Sequence, residues 1–153
     1  MIRGIYLSYN DDLSQVHAIR NEVFSKELKL TDRQPDDEDI MAVHALLEAE
    51  GQGMVATGRM KFDGETFILD KVAVLKEHRR NGYADFVVRM LLDKVFMSQG
   101  KVIYANVIKD TIPFFETIGF IANGEDYTDN GIVYTPMKVE YGKVKTQCGG
   151  HCN

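Results

Sequence analysis

The sequence predicts an α/β (α+β) fold with a mixed sheet, antiparallel first and parallel at one crossover. Three observations carry that expectation. Two apolar runs, Met54 to Phe62 and Phe67 to Val74, flank Asp63-Gly64, and an Asp-Gly pair between such runs is a strong hairpin signal. From Phe67 to Val107 an apolar run, a helical pattern and a second apolar run follow one another, which implies a parallel pair with a right-handed connection. Finally, 153 residues with 44% hydrophobic and 27% charged side chains suit a single globular domain with a real core.

Taken in order, Ile2 to Tyr9 reads as a first strand. Asp12 is placed to cap a helix, with Gln15 three residues on, a capping-box arrangement. Leu13, Val16, Ile19, Val23 and Phe24 then recur at helical spacing, which gives an apolar stripe. Lys29 to Gln34 reads as a loop running into Pro35 and the acidic cluster Asp36-Asp37-Glu38-Asp39, a pattern that suits a solvated face. Met41 to Glu48 is a short apolar run, Gly51-Gln52-Gly53 is a turn, and with the hairpin runs these form an antiparallel meander. After Gly82, residues Ala84, Val87, Val88, Leu91 and Val95 share a helix face, and Gly100 sits at the C′ position. Lys101 to Val107 returns as a strand. Pro113 to Ile118 suits a short helix with proline near its first turn. Phe120 to Ala122 and Ile132 to Val139 close the chain as strands, and the tail after Tyr141 has little to bury.

Charge and composition exclude several partner classes. Lys plus Arg number 18 against 23 Asp plus Glu, a net charge of −5, so no basic face points to nucleic acid. The N-terminus lacks the apolar run of about 7–15 residues that marks a signal peptide. No stretch approaches the roughly 18 apolar residues of a membrane span. Both cysteines, Cys148 and Cys152, fall in the last six residues, unlike a disulfide framework. The expected location is the cytoplasm.

The informative segment is Leu69 to Ala84. A buried strand runs into Lys76, His78, Arg79 and Arg80, then Gly82, then a helix start. A helix N-terminus leaves about four N–H groups unpaired and carries the equivalent of about +0.5 charge. Gly82 and Ala84 let a ligand approach the backbone. The pattern suits a pyrophosphate, and it is neither a Walker loop nor G-x-G-x-x-G.

These residues resemble the GNAT superfamily of N-acetyltransferases. Leu69 to Val74 resembles the strand along the pantetheine arm. Arg79-Arg-Asn-Gly-Tyr-Ala84 resembles the coenzyme A loop [QR]-x-x-G-x-[GA]. Asn106, followed by Pro113-Phe-Phe-Glu-Thr-Ile-Gly-Phe120, resembles the family's Asn and F-Y-x-x-x-G-F. Arg20-Asn-Glu-Val-Phe24, Asp36 to Asp39, Ala42-Val-His44 and Thr57-Gly-Arg59 are similar to a bacterial subgroup of mostly unassigned substrate. The resemblance implies one acetyltransferase domain over residues 1–141. Its sheet would be mostly antiparallel, of about seven strands, splayed at the central parallel pair, with about four helices. It implies acetyl-CoA as co-substrate without a metal, a small-molecule or peptide amine as acceptor, and compatibility with a homodimer. It also implies that backbone groups of Val72, Ala73 and Val74 pair with pantetheine, while Arg79, Arg80, Asn81, Gly82, Tyr83, Ala84 and Asn106 bind the remaining cofactor. A relative of the acyl-homoserine-lactone synthases is a third possibility, though that family runs longer.

The chain departs from the family at Phe115, where many members have a tyrosine that protonates the leaving thiolate. A thiol pKa near 8.5 allows departure without help. The alternatives are a substitute donor such as Tyr83 or Tyr104, or a CoA-binding module without catalysis. Candidate catalytic groups are His44, which titrates near neutrality or serves as a structural histidine; Asp70, on the same face as Val72 by period two; and Tyr134, lining the acceptor pocket or the core. Arg59 either binds a substrate carboxylate or locks the acidic loop, and Phe24 is the second candidate substrate contact. The tail from residue 142 to 153 carries Cys148, His151 and Cys152, three ligands where a closed zinc site needs four.

Overall fold

The computed structural model describes residues 1–30 and 36–146. Residues 31–35, within the stretch expected to be a loop, and the three tail residues Cys148, His151 and Cys152 lie outside the described residues. The strands are β1 (Ile2–Leu7), β2 (Ala42–Ala49), β3 (Gly53–Phe62), β4 (Phe67–Val74), β5 (Val102–Ile108), β6 (Ile121–Ala122), β7 (Tyr127–Asp129) and β8 (Ile132–Glu140). They form one sheet in the order β1-β2-β3-β4-β5-β8-β6, with β7 also on β8. The α-helices are α1 (Ser14–Arg20), α2 (Tyr83–Met97) and α3 (Ile112–Ile118).

The β2–β4 meander and the parallel β4–β5 crossover form as the sequence predicts. Among the described residues the sheet has eight strands, where about seven were expected. The additional one, β7, is joined to β8 by Asn130 (φ 50°) and Gly131 (φ 80°), the left-handed pair that a tight hairpin turn demands. Among the described residues there are three α-helices, where about four were expected. A further helical stretch, Asn21–Glu27, continues α1 as a π-helix. Asp12 accepts from the Ser14 N–H at 2.9 Å, so the start of α1 is organised by an Asx turn and not by Gln15. At the end of α2, Gln99 (φ 68°) takes the left-handed position, and the Gly100 N–H closes the helix on the Val95 carbonyl at 3.0 Å. Gly100 is needed there for space, since a Cβ would collide with Val95 and crowd Phe67. The segment after Tyr141 does bury something: Val144 packs on the core, and the Lys145 N–H bonds to the Ile118 carbonyl at 2.7 Å.

Burial separates two faces. On the back face, α2 and α3 cover the sheet through Val88, Leu91 and Phe115 against Leu69, Ile103 and Met137. On the front face, α1 and the π-helix cover β2 to β4 through Val16, Ile19 and Val23 against Leu46 and Ala73. The front side chains of β5 and β8 stay half-buried or exposed: Tyr104, Asn106 and Ile108 face Lys138, Pro136 and Tyr134 in register.

A bulge reshapes β4. Thr57 pairs with Ala73 and Arg59 with Asp70, so β4 spends one residue more than β3. Lys71 takes a left-handed φ of 54° at that point. Such a bulge resets the alternation of side chains. Asp70 therefore meets Arg59 on the front face, while Val72 packs with the back core. The expectation that Asp70 and Val72 share a face is overturned by this one inserted residue.

Candidate functional site

Strands β4 and β5 pair only at Phe67–Ile103, Ile68–Tyr104 and Leu69–Ala105. Both continue beyond the last pair, to Val74 and Ile108, so the sheet is open between them. The Leu75 N–H donates to the Val55 carbonyl at 3.0 Å. Alternation along the strand then turns Ala73 toward β3, and Val72 and Val74 toward the opening. Ala73 thus differs from its expected role, because its backbone groups belong to the β3 edge. Asn106 stands exposed on β5 just past the last pair.

At the head of the opening lies the loop into α2. A 3-10 turn over Lys76–His78 is closed by the His78 N–H on the Leu75 carbonyl at 2.9 Å. Asn81 donates its amide to the His78 carbonyl at 2.9 Å, so its side chain braces the loop and does not cap the helix. Arg80 (φ 67°) and Gly82 (φ 77°) are both left-handed, a backbone shape that aims successive N–H groups to one side. Among the described residues, none accepts a hydrogen bond from the main-chain nitrogens of Arg80 to Ala84. The helix ladder starts later, with the Phe86 N–H on the Gly82 carbonyl at 3.1 Å. Tyr83 packs on the back core.

The Arg79 side chain is occupied elsewhere. Its guanidinium grips Glu27 of the π-helix through two hydrogen bonds of 2.6 Å. Its Nε donates to the Val74 carbonyl at 3.0 Å. These hydrogen bonds from Arg79 hold the Glu27 carboxyl below its ordinary range.

The front-face candidates form one buried charge network. Arg59, 1% exposed, makes paired 2.8 Å bonds to both oxygens of Asp70 and a 2.9 Å bond to Asp39. Arg20 also holds Asp39 at 2.8 Å, and Asp36 lies 3.1 Å from Arg59. Burial opposes the charge on Asp39, but hydrogen bonds and attraction from Arg20, joined by Arg59 and His17, outweigh it and keep the carboxyl well below the carboxylate range. Arg59 therefore locks the acidic segment. His44, 0% exposed, points Nε2 at the Asp39 carbonyl, 3.2 Å away, and burial pushes its pKa down. His44 and Asp70 are thus both tied into the network that holds the acidic segment.

Three other candidates are placed differently. Phe24, half-buried on the π-helix, lies under Lys71, whose Nζ is 5.6 Å from the ring centroid. Phe115 is 9% exposed and meets Phe120 edge-on at 5.4 Å, within the back core. Tyr134 lies opposite Ile108 and stacks on Tyr127 at 5.5 Å, so it is a front-face residue and not a core one. Burial, then the Asp129 charge, raises the Tyr134 phenol.

The acetyltransferase (GNAT) domain family matches residues 11–141. The chain belongs to the GNAT acetyltransferases. Its fold is shared with Escherichia coli ElaA, at a TM-score of 0.80 and 22% identity over 92% of this chain and 100% of that one. A GNAT family acetyltransferase from Elizabethkingia anophelis, solved with acetyl-CoA bound, superposes at a TM-score of 0.63 with 14% identity over 91% of this chain and 97% of that one. In sequence, the chain is 21% identical over 137 residues to an uncharacterized N-acetyltransferase of Bacillus subtilis, YjcF, covering 89% of this chain and 98% of that protein. For this GNAT domain the opening at β4–β5 and the loop at α2 are the features of interest. Glu27 was not singled out from the sequence, because its partner Arg79 is 52 positions away. No helix among the described residues is long and apolar enough to cross a membrane.

Proposed function

We propose that this GNAT protein transfers the acetyl group of acetyl-CoA to a primary amine of a small molecule or peptide by direct attack. The observation that supports this most is the unspent row of main-chain N–H groups from Arg80 to Ala84 at the start of α2. Such a row, with the helix dipole behind it, favours a diphosphate. The residues present fit coenzyme A in a second respect: Val72 and Val74 turn toward an opening where pantetheine amides can pair. Asn106, exposed beside it, is the third contact.

The acceptor nitrogen attacks the thioester carbonyl carbon, the carbon–sulfur bond breaks, and CoA leaves as a thiolate. The nitrogen gives up a proton, and the thiolate takes one. Phe115 has no proton to give, and we assign delivery to Tyr134, whose phenol stays protonated well above neutrality. Asp70 and His44 are both engaged in the charge network, so the amine enters in its minor deprotonated form and gives its proton to solvent at the open front face.

Thiol release over a panel of primary amines, with calorimetric titration of CoA, tests the reading. The expected result is tight CoA binding and amine-dependent release that rises with pH toward the amine's own pKa. Tight binding without release from any amine would instead favour a CoA-binding module without catalysis, the reading that Phe115 supports. Absence of CoA binding would overturn both.

A further inference from the structure

The half-buried Lys, Arg, Asp and Glu side chains of this domain are matched almost throughout. Lys61 has Glu38, Arg89 has Asp85, Asp70 has Arg59 and Glu48 has Arg3. Lys138 is the exception. Among the described residues no hydrogen bond and no ion pair reaches its ammonium, although its side chain is half-buried. The nearest acidic residue along β8 on that face is the exposed Glu140, which makes no ion pair with Lys138.

Its position gives that exception meaning. Lys138 projects from the front face in register with Tyr104 on β5, which is itself in register with Ile68 on β4. Those pairs sit one residue before the point where β4 and β5 part. The back of the sheet there is closed by Ile103, Ala105, Met137 and Val139, all buried. On the front face, Tyr104 and Lys138 therefore border the opening at its closed end. With about 4.8 Å between strands and about 3.4 Å per residue, the Lys138 Cα lies roughly 10 Å from the middle of the opening. Part of that distance is covered by the four-carbon stem of the lysine. The front-face acids near the opening, Asp70 and Asp36, are already committed to Arg59. Asp129 lies by Tyr134, at the Ile108 end of the same face.

We propose that Lys138 binds an anionic group of the acceptor, so that the preferred substrates are amines carrying a carboxylate several bonds from the nitrogen. This rests on the acetyltransferase reading above. The Tyr104 phenol, beside Lys138, is placed to add a hydrogen bond to the same carboxylate. Lys138 is a specificity residue and takes no part in bond making.

The test uses 3-aminopropanoate, 5-aminopentanoate and 6-aminohexanoate, each paired with the alkylamine of equal carbon count. Both members are titrated into the CoA-loaded protein and assayed with acetyl-CoA. In the native chain at least one acid should bind and react at least tenfold better than its alkylamine. Lys138→Met should collapse that ratio through KM, with kcat for the acid little changed, and Lys138→Arg should restore most of it. An equal response to acids and alkylamines, or a ratio that survives Lys138→Met, overturns the proposal. Binding is read separately from turnover. Lys138-dependent binding of the acids without any acetylation would keep this site and sink the transferase reading. Acetylation of alkylamines and acids alike would do the reverse.

Discussion

Gly82 holds φ at 77° with open space around its missing Cβ, so a side chain there is opposed by backbone strain and not by collision. A left-handed backbone costs an L-residue about 1–2 kcal/mol. Gly82→Val should leave the domain folded, lower its stability by about that amount, and weaken CoA binding at least tenfold by calorimetry. An unchanged affinity would remove the loop from the cofactor site. A second residue-scale consequence concerns acid. Asp39 and Asp36 bind protons more weakly folded than unfolded. The unfolded chain therefore takes up protons first as pH falls below about 4, and stability drains away from there down toward the folded values. His44 acts in the same direction from higher up: its folded pKa lies below 6.5, so stability begins to fall once pH drops under the unfolded value. Urea midpoints measured from pH 8 to pH 3 should show both declines, and His44→Gln should flatten the upper one. At this scale the helix start after Gly82 was legible, because the chemistry of a helix start is local. The choice for Arg59 between substrate and acidic loop was not, since it depends on which carboxylates the fold delivers to it.

At the scale of elements, the π-helix and the loop into α2 are tied by Glu27 and Arg79. Arg79 also covers the Val74 carbonyl, on the edge that faces the opening. Removing the carboxylate should free the guanidinium for an incoming diphosphate. Glu27→Gln is therefore expected to tighten CoA binding severalfold in a calorimetric titration, and weaker binding would show that the bridge preorganises the loop instead. The meander, the crossover and α2 were readable from period and turn residues. The β4 bulge was not, because a single inserted residue leaves the apolar pattern of Phe67 to Val74 intact while exchanging the faces beyond it. The short β7 was missed for a different reason. Its three residues are all exposed and carry no apolar alternation, although Asn130-Gly131 marks the turn.

At the scale of the whole molecule, β4 and β5 share only three residue pairs, so two half-sheets meet along a short seam backed by α2 and α3. A ligand that binds the folded state alone stabilises it by about 2.7 kcal/mol at a concentration of one hundred times Kd. For a domain of this size, roughly 2–4 °C accompanies each kcal/mol. Saturating CoA should therefore raise the melting temperature by several degrees in a calorimetric scan, and no shift would argue against binding in the seam. The missing rungs of that ladder have a further meaning. A polypeptide that leaves its central strands unlaced has left room for a small molecule to act as a temporary strand. Under the acetyl-transfer reading proposed above, the reactant that arrives to be consumed would also be the mortar between the two walls, and each turnover would loosen the building slightly before the next delivery.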